Sequence, residues 1–69
     1  MPDHTYKMIE LCGTSSKSIE DAVSKALARA SKTVRNMRWL ELNEIHAKVE
    51  DGKVAEWQTV MKVGFTLED

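Results

Sequence analysis

Asp51-Gly52 sits between two long runs in which apolar and polar residues interleave, Trp39–Glu50 and Lys53–Leu67. An Asp-Gly pair tolerates positive φ at both central positions of a two-residue turn. It therefore folds the flanking runs back on each other as antiparallel strands. Taken literally, the turn fixes a register: Glu50 faces Lys53, Ile45 faces Gln58, Glu41 faces Lys62 and Trp39 faces Gly64. Glu50–Lys53 and Glu41–Lys62 then set opposite charges across from each other, which favours this pairing.

The same register sorts the side chains by face. One face carries Leu40, Leu42, Trp57, Met61, Val63 and Phe65, enough apolar surface to receive a helix. The other carries Trp39, Ile45, Val49, Val54, Val60 and the amide of Gln58, among Glu41, Asn43 and Lys62.

Upstream, His4–Cys12 reads as a strand with apolar residues on both faces, Tyr6, Met8 and Cys12 on one and Ile9 and Leu11 on the other. Gly13 ends it, and Thr14, Ser15, Ser16 and Ser18 supply turn and cap chemistry. From Ile19 to about Asn36 the spacing predicts a helix. Ile19, Ala22, Val23, Ala26, Leu27, Ala30, Val34 and Met37 form one stripe at helical period. Ser18 is the expected N-cap, with Glu20 and Asp21 in the first turn, where the helix dipole favours negative charge. The expected class is α+β, a β-α-β-β protomer whose three-stranded antiparallel sheet wraps one helix. A single helix cannot cover both faces of such a sheet. The second face either wets a tryptophan and several β-branched residues or meets another subunit.

At 69 residues the chain allows one domain, 1–69, and excludes barrel and doubly wound enzymes. Domains this small need extra support. One cysteine permits no internal disulfide, and two histidines form no zinc-spaced cluster, which leaves self-association. The lone cysteine and the lack of a secretory-type leader point to a cytoplasmic setting. No apolar run approaches a membrane span. Met1–Asp3 and Glu68–Asp69 are polar and read as frayed ends.

Ten basic residues against eleven acidic ones, a net charge of -1, argue against a nucleic-acid partner. Arg29, Lys32, Arg35 and Arg38 are spaced by three and fall on one side of the expected helix. A solvated helix face explains them better than a phosphate-binding stripe. Catalysis finds little support, because no spacing unites nucleophile, base and orienting group. Cys12 reads as a small buried hydrophobe, and His46 as a surface residue near the hairpin.

Trp39 is the informative residue. It stands where the helix gives way to the second strand and shares a face with Gln58. One reading is an oligomer-interface tryptophan. The other is a stacking platform, since an indole face is flat, apolar and electron-rich. A carboxamide offers both donors and acceptors to a heterocycle with mixed edges. A flavin or a pterin fits both features.

The segments Glu10–Ser16, Ala26–Ser31, Arg35–Trp39, Glu50–Val54, Trp57–Gln58 and Lys62–Glu68, in this order and spacing, resemble the dodecins, small flavin-binding proteins. The resemblance implies a homododecameric shell that stores and sequesters FMN or riboflavin without turning it over. It implies flavins paired at two-fold axes between symmetry-related copies of Trp39, with Gln58 on the polar edge of the isoalloxazine. Arg38, Leu40, His46 and Thr66 are the secondary contacts it suggests. Many members carry arginines at the positions of His46 and Thr66, where they contact the FMN phosphate or coenzyme A. Without those guanidinium forks, the expectation is a weaker preference for FMN over riboflavin and no strong coenzyme A site. Leu40 and Trp57 replace other aromatics of the family and fall by parity on the helix side. The alternative from pattern alone is a cofactor-free oligomeric assembly module.

Overall fold

The structure, a computed structural model, describes residues 3–67. The polar ends at 1–2 and 68–69 lie outside the described residues. The elements run β1 (Tyr6–Ser15), α1 (Ile19–Ala30), β2 (Met37–Glu50) and β3 (Lys53–Thr66). The strands form one antiparallel sheet in the order β1-β3-β2. This is the β-α-β-β, α+β protomer expected.

At the hairpin, Asp51 and Gly52 adopt φ of 52° and 72°, as a two-residue turn of this type requires. Glu50–Lys53, Glu41–Lys62 and Trp39–Gly64 pair as the turn dictates. Ile45 does not face Gln58. The ladder shifts between Leu42 and Glu44, so that Ile45 pairs with Thr59 and His46 with Gln58. It shifts back between Lys48 and Val49. Asn43 and Ala55 are the extra residues, and bulges of this kind re-aim the side chains between them. Ile45 thereby turns to the helix side of the sheet, and His46 takes its place on the opposite, open face.

β1 runs past Gly13, pairing Gly13 with Thr59, Thr14 with Gln58 and Ser15 with Trp57. Ser15 then organises the entry into α1. Its Oγ donates to Asp21 Oδ2 at 2.6 Å and accepts from the backbone N–H groups of Lys17 (2.9 Å) and Ser18 (3.3 Å). Ser18 is the N-cap, its Oγ accepting from the Asp21 N–H at 3.0 Å. Asp21 also pairs with Lys25 at 3.0 Å.

The helix stops at Ala30, six residues before the expected Asn36. Ser31 caps it, and the backbone tightens into i→i+3 bonds from Lys32 to Arg29 and Thr33 to Ala30. β-Branched Thr33 and Val34 are poor helix formers, and Asn36 sits at φ 64°, which no right-handed helix admits. The basic stripe therefore does not exist. Arg29 is helical, whereas Lys32 and Arg35 lie in the connection and Arg38 in β2.

α1 packs mainly against β1 and β3. The buried apolar core of the protomer is Ala22, Met61 and Val63, with Ser15 and Thr59 buried beside them. The β2–β3 hairpin projects beyond the helix, and the protomer measures 55 × 21 × 13 Å. Leu42 (42 % exposed) and Ile45 (48 %) stand on the helix side of β2 with no helix over them. α1 thus covers only part of that face. So small a core leaves much of the apolar surface of the chain uncovered.

Candidate functional site: the open face of the sheet

Two aromatic side chains, Tyr6 and Trp39, meet at one end of the open face. Gly64 lies at the centre of a row, with Met8 of β1 on one side and Trp39 of β2 on the other. A Cβ built on Gly64 would collide with Cζ2, Cε2 and Cη2 of Trp39 at nearly equal separations. Three neighbouring ring atoms at equal approach mean that Gly64 lies beneath the face of the indole, not at its rim. Tyr6 meets the indole in a T-shaped contact, with ring centroids 4.9 Å apart at 71°. The tryptophan remains 42 % exposed. With one face on Gly64, that exposure belongs to the opposite face and the rim. An aromatic ring held by a neighbour and by bare backbone, with free area left over, is a platform for a second flat ring.

Arg38 is the extra residue of a third shift in the ladder, between Met37 and Trp39. Its Nε–H donates to Thr66 Oγ1 at 3.0 Å. Arg38 and Thr66 thus form a pair at the Trp39 end of the sheet. Leu40 pairs with Val63 and lies on the helix side, beside a pocket of about 300 Å³ that Leu27, Met37, Arg38, Trp39 and Val63 also line. It is not brought onto the open face with the indole ring.

Gln58 and His46 form a second group. His46 Nε2 and Gln58 Oε1 are 2.6 Å apart, and Gln58 Nε2 donates to Glu56 Oε1 at 2.9 Å. The open face thus holds Trp39, Gln58 and His46, as well as Thr66 at its end. Within one protomer they do not converge. Gly64, beneath the indole, and Gln58 are six residues apart on β3, a run of about 20 Å. The contributions of Tyr6 and Glu56 are absent from the sequence reading. Glu56 was legible, because it lies two residues from Gln58 and so on the same strand face. Tyr6 was not, because no turn fixes the register of β1.

Lys62 stands between Glu10 and Glu41 in the middle of this face. Cys12, expected to be buried, is exposed there opposite Val60. The helix covers the other side of β1, so the odd-numbered residues Ile9 and Leu11 turn inward and Cys12 outward. At the helix start, the Ser15 hydroxyl holds the Asp21 carboxyl below its ordinary value of 3.8, with Lys25 adding to the effect. Among the described residues, no group of three or more His, Cys, Asp or Glu could hold a metal ion, and no helix is long and apolar enough to cross a membrane.

Comparison with known proteins gives one consistent result. The family model described as Dodecin matches residues 5–68. A curated Dodecin of Thermus thermophilus is 47% identical over 64 residues, covering 93% of each chain. The dodecin structure from Streptomyces coelicolor superposes with a TM-score of 0.94 at 43% identity, covering 100% of this chain and 99% of that one. Dodecin from Streptomyces davaonensis gives 0.93 at 38% identity, covering 99% and 100%.

Proposed function

Since the chain belongs to the dodecin family, we propose that it is a non-enzymatic flavin-binding protein that stores and sequesters FMN or riboflavin within a homododecameric shell. One observation carries the reading. Trp39 is seated face-down on Gly64, braced by Tyr6, and still 42 % exposed on an otherwise uncovered sheet face. A tricyclic isoalloxazine stacks on such a surface.

The separation of Trp39 from Gln58 supports assembly as part of the site. About 20 Å of strand exceeds the length of a tricyclic ring. A flavin on one copy's Trp39 therefore meets Gln58 from another copy, and the second stacking indole comes from a symmetry-related Trp39. Exposed Leu42 and Ile45 give the copies apolar surface to bury. Arg38 and Thr66, next to the platform, serve the ribityl or phosphate end, and His46 stands with Gln58 at the polar edge of the ring. Coenzyme A is not part of the proposal. An exposed free thiol at Cys12 suits a reducing, cytoplasmic setting.

Titration of the purified protein with riboflavin tests the reading. Strong quenching of flavin emission, abolished by Trp39→Ala, is the expected result. A stable oligomer that leaves riboflavin emission unchanged refutes it and leaves a cofactor-free assembly module.

A further inference from the structure

The chain His46–Gln58–Glu56 has only one consistent arrangement of hydrogens. The Glu56 carboxylate can only accept. The Gln58 group that faces it at 2.9 Å must therefore be the NH₂. With the amide turned that way, Gln58 Oε1 points at His46 Nε2, 2.6 Å away, so that nitrogen carries a hydrogen and donates. Turning the amide over would set its oxygen against the carboxylate with no proton between them.

Two of the four hydrogen-bonding positions of the amide are thus used within the protomer. A carboxamide has two N–H donors and two carbonyl lone pairs. Glu56 takes one donor and His46 one lone pair, which leaves one donor and one acceptor of fixed orientation. An imide edge, an N–H flanked by two carbonyls, has the matching pattern.

We propose that Glu56 is a positioning residue. Acting through Gln58, with His46 opposite, it fixes the amide so that the site selects planar heterocycles that present an imide edge. The inference rests on the flavin reading above and deepens it. An isoalloxazine has such an edge at its pyrimidine ring, and methylation of N3 removes the donor from it. Without Glu56 the amide is free to turn, and the preference for an unmethylated edge disappears.

Riboflavin and N3-methylriboflavin, titrated into the wild-type oligomer and its variants and followed by flavin emission, test this. The wild type is expected to prefer riboflavin by roughly three- to tenfold, the scale of one hydrogen bond. Glu56→Ala should lose the preference and bind the two ligands alike. Glu56→Gln, whose amide oxygen accepts the same N–H, should keep it. Glu56→Lys, which donates where the carboxylate accepts, should also lose it; this is a second route to the answer if the alanine variant assembles poorly.

A Glu56→Ala ratio equal to that of the wild type overturns the proposal. So does an equal loss of both ligands, which marks Glu56 as structural only. Strong wild-type quenching by both ligands at equal affinity defeats this inference and leaves the flavin reading standing. No quenching by either ligand defeats both.

Discussion

The benzene half of Trp39 lies over the bare Cα of Gly64, its partner in the β2–β3 ladder. A methyl group at Gly64 has no room beneath the ring. Gly64→Ala should tilt or lift the indole, with a stability cost of about 1–3 kcal/mol for overpacking. Riboflavin affinity should fall at least tenfold, with a shift in tryptophan emission. An alanine variant that quenches riboflavin like the wild type would show that the seat of the indole is immaterial to binding.

Trp39→Ala removes the platform itself. Stacking of a heteroaromatic ring on an aromatic side chain is worth about 1–3 kcal/mol in nucleic-acid complexes, so a loss of roughly five- to 150-fold is expected. Gln58→Ala removes hydrogen bonds only and should cost roughly two- to tenfold. Size-exclusion with light scattering should find both variants assembled.

Asp21 links pH to stability at the start of α1. Its folded-state pKa lies below 3.8, first through the Ser15 hydroxyl and then through Lys25. The contribution is complete above the unfolded value near 3.8 and is lost as pH falls through the lower folded value. Asp21→Asn should flatten the acid limb of the stability curve below about pH 4, read by thermal melts. Ser18→Ala should cost about 1 kcal/mol at any pH through loss of the N-cap.

Leu42 and Ile45 lie on the helix side of β2, beyond the reach of α1. A charge there opposes burial against another copy. Leu42→Glu or Ile45→Glu should reduce the assembled species in light scattering, and flavin quenching should fall with it. An intact oligomer from the Leu42→Glu, Ile45→Glu double variant would place the subunit contacts elsewhere.

The hairpin was legible because Asp51-Gly52 is a local signal that sets both turn type and register. The pairing of Trp39 with Gly64 followed from it directly. The register in the middle of the arm did not. Asn43 and Ala55 each add one residue to one strand, and their effects cancel at both ends. Counting from the turn therefore finds Trp39 correctly and misassigns Ile45 and His46. The end of α1 was missed for a different reason. Val34 and Met37 continue the apolar period past Ala30, but β-branched Thr33 and Val34 and the left-handed Asn36 give the backbone a tighter turn. Cys12 is exposed because α1 packs on the other side of β1, a choice of face that strand parity alone cannot supply.

Distance along β3 has a last consequence. On the proposed function, the indole seat and the carboxamide at opposite ends of one strand stretch make a lone subunit the bearer of two half-sites and no whole one. Cargo is then expected to bind the assembled particle in preference to its dissociated pieces, and by mass action each occupied cleft would fasten the subunits that border it. Filling the particle should harden it against heat and dilution, and emptying it should loosen the same seams.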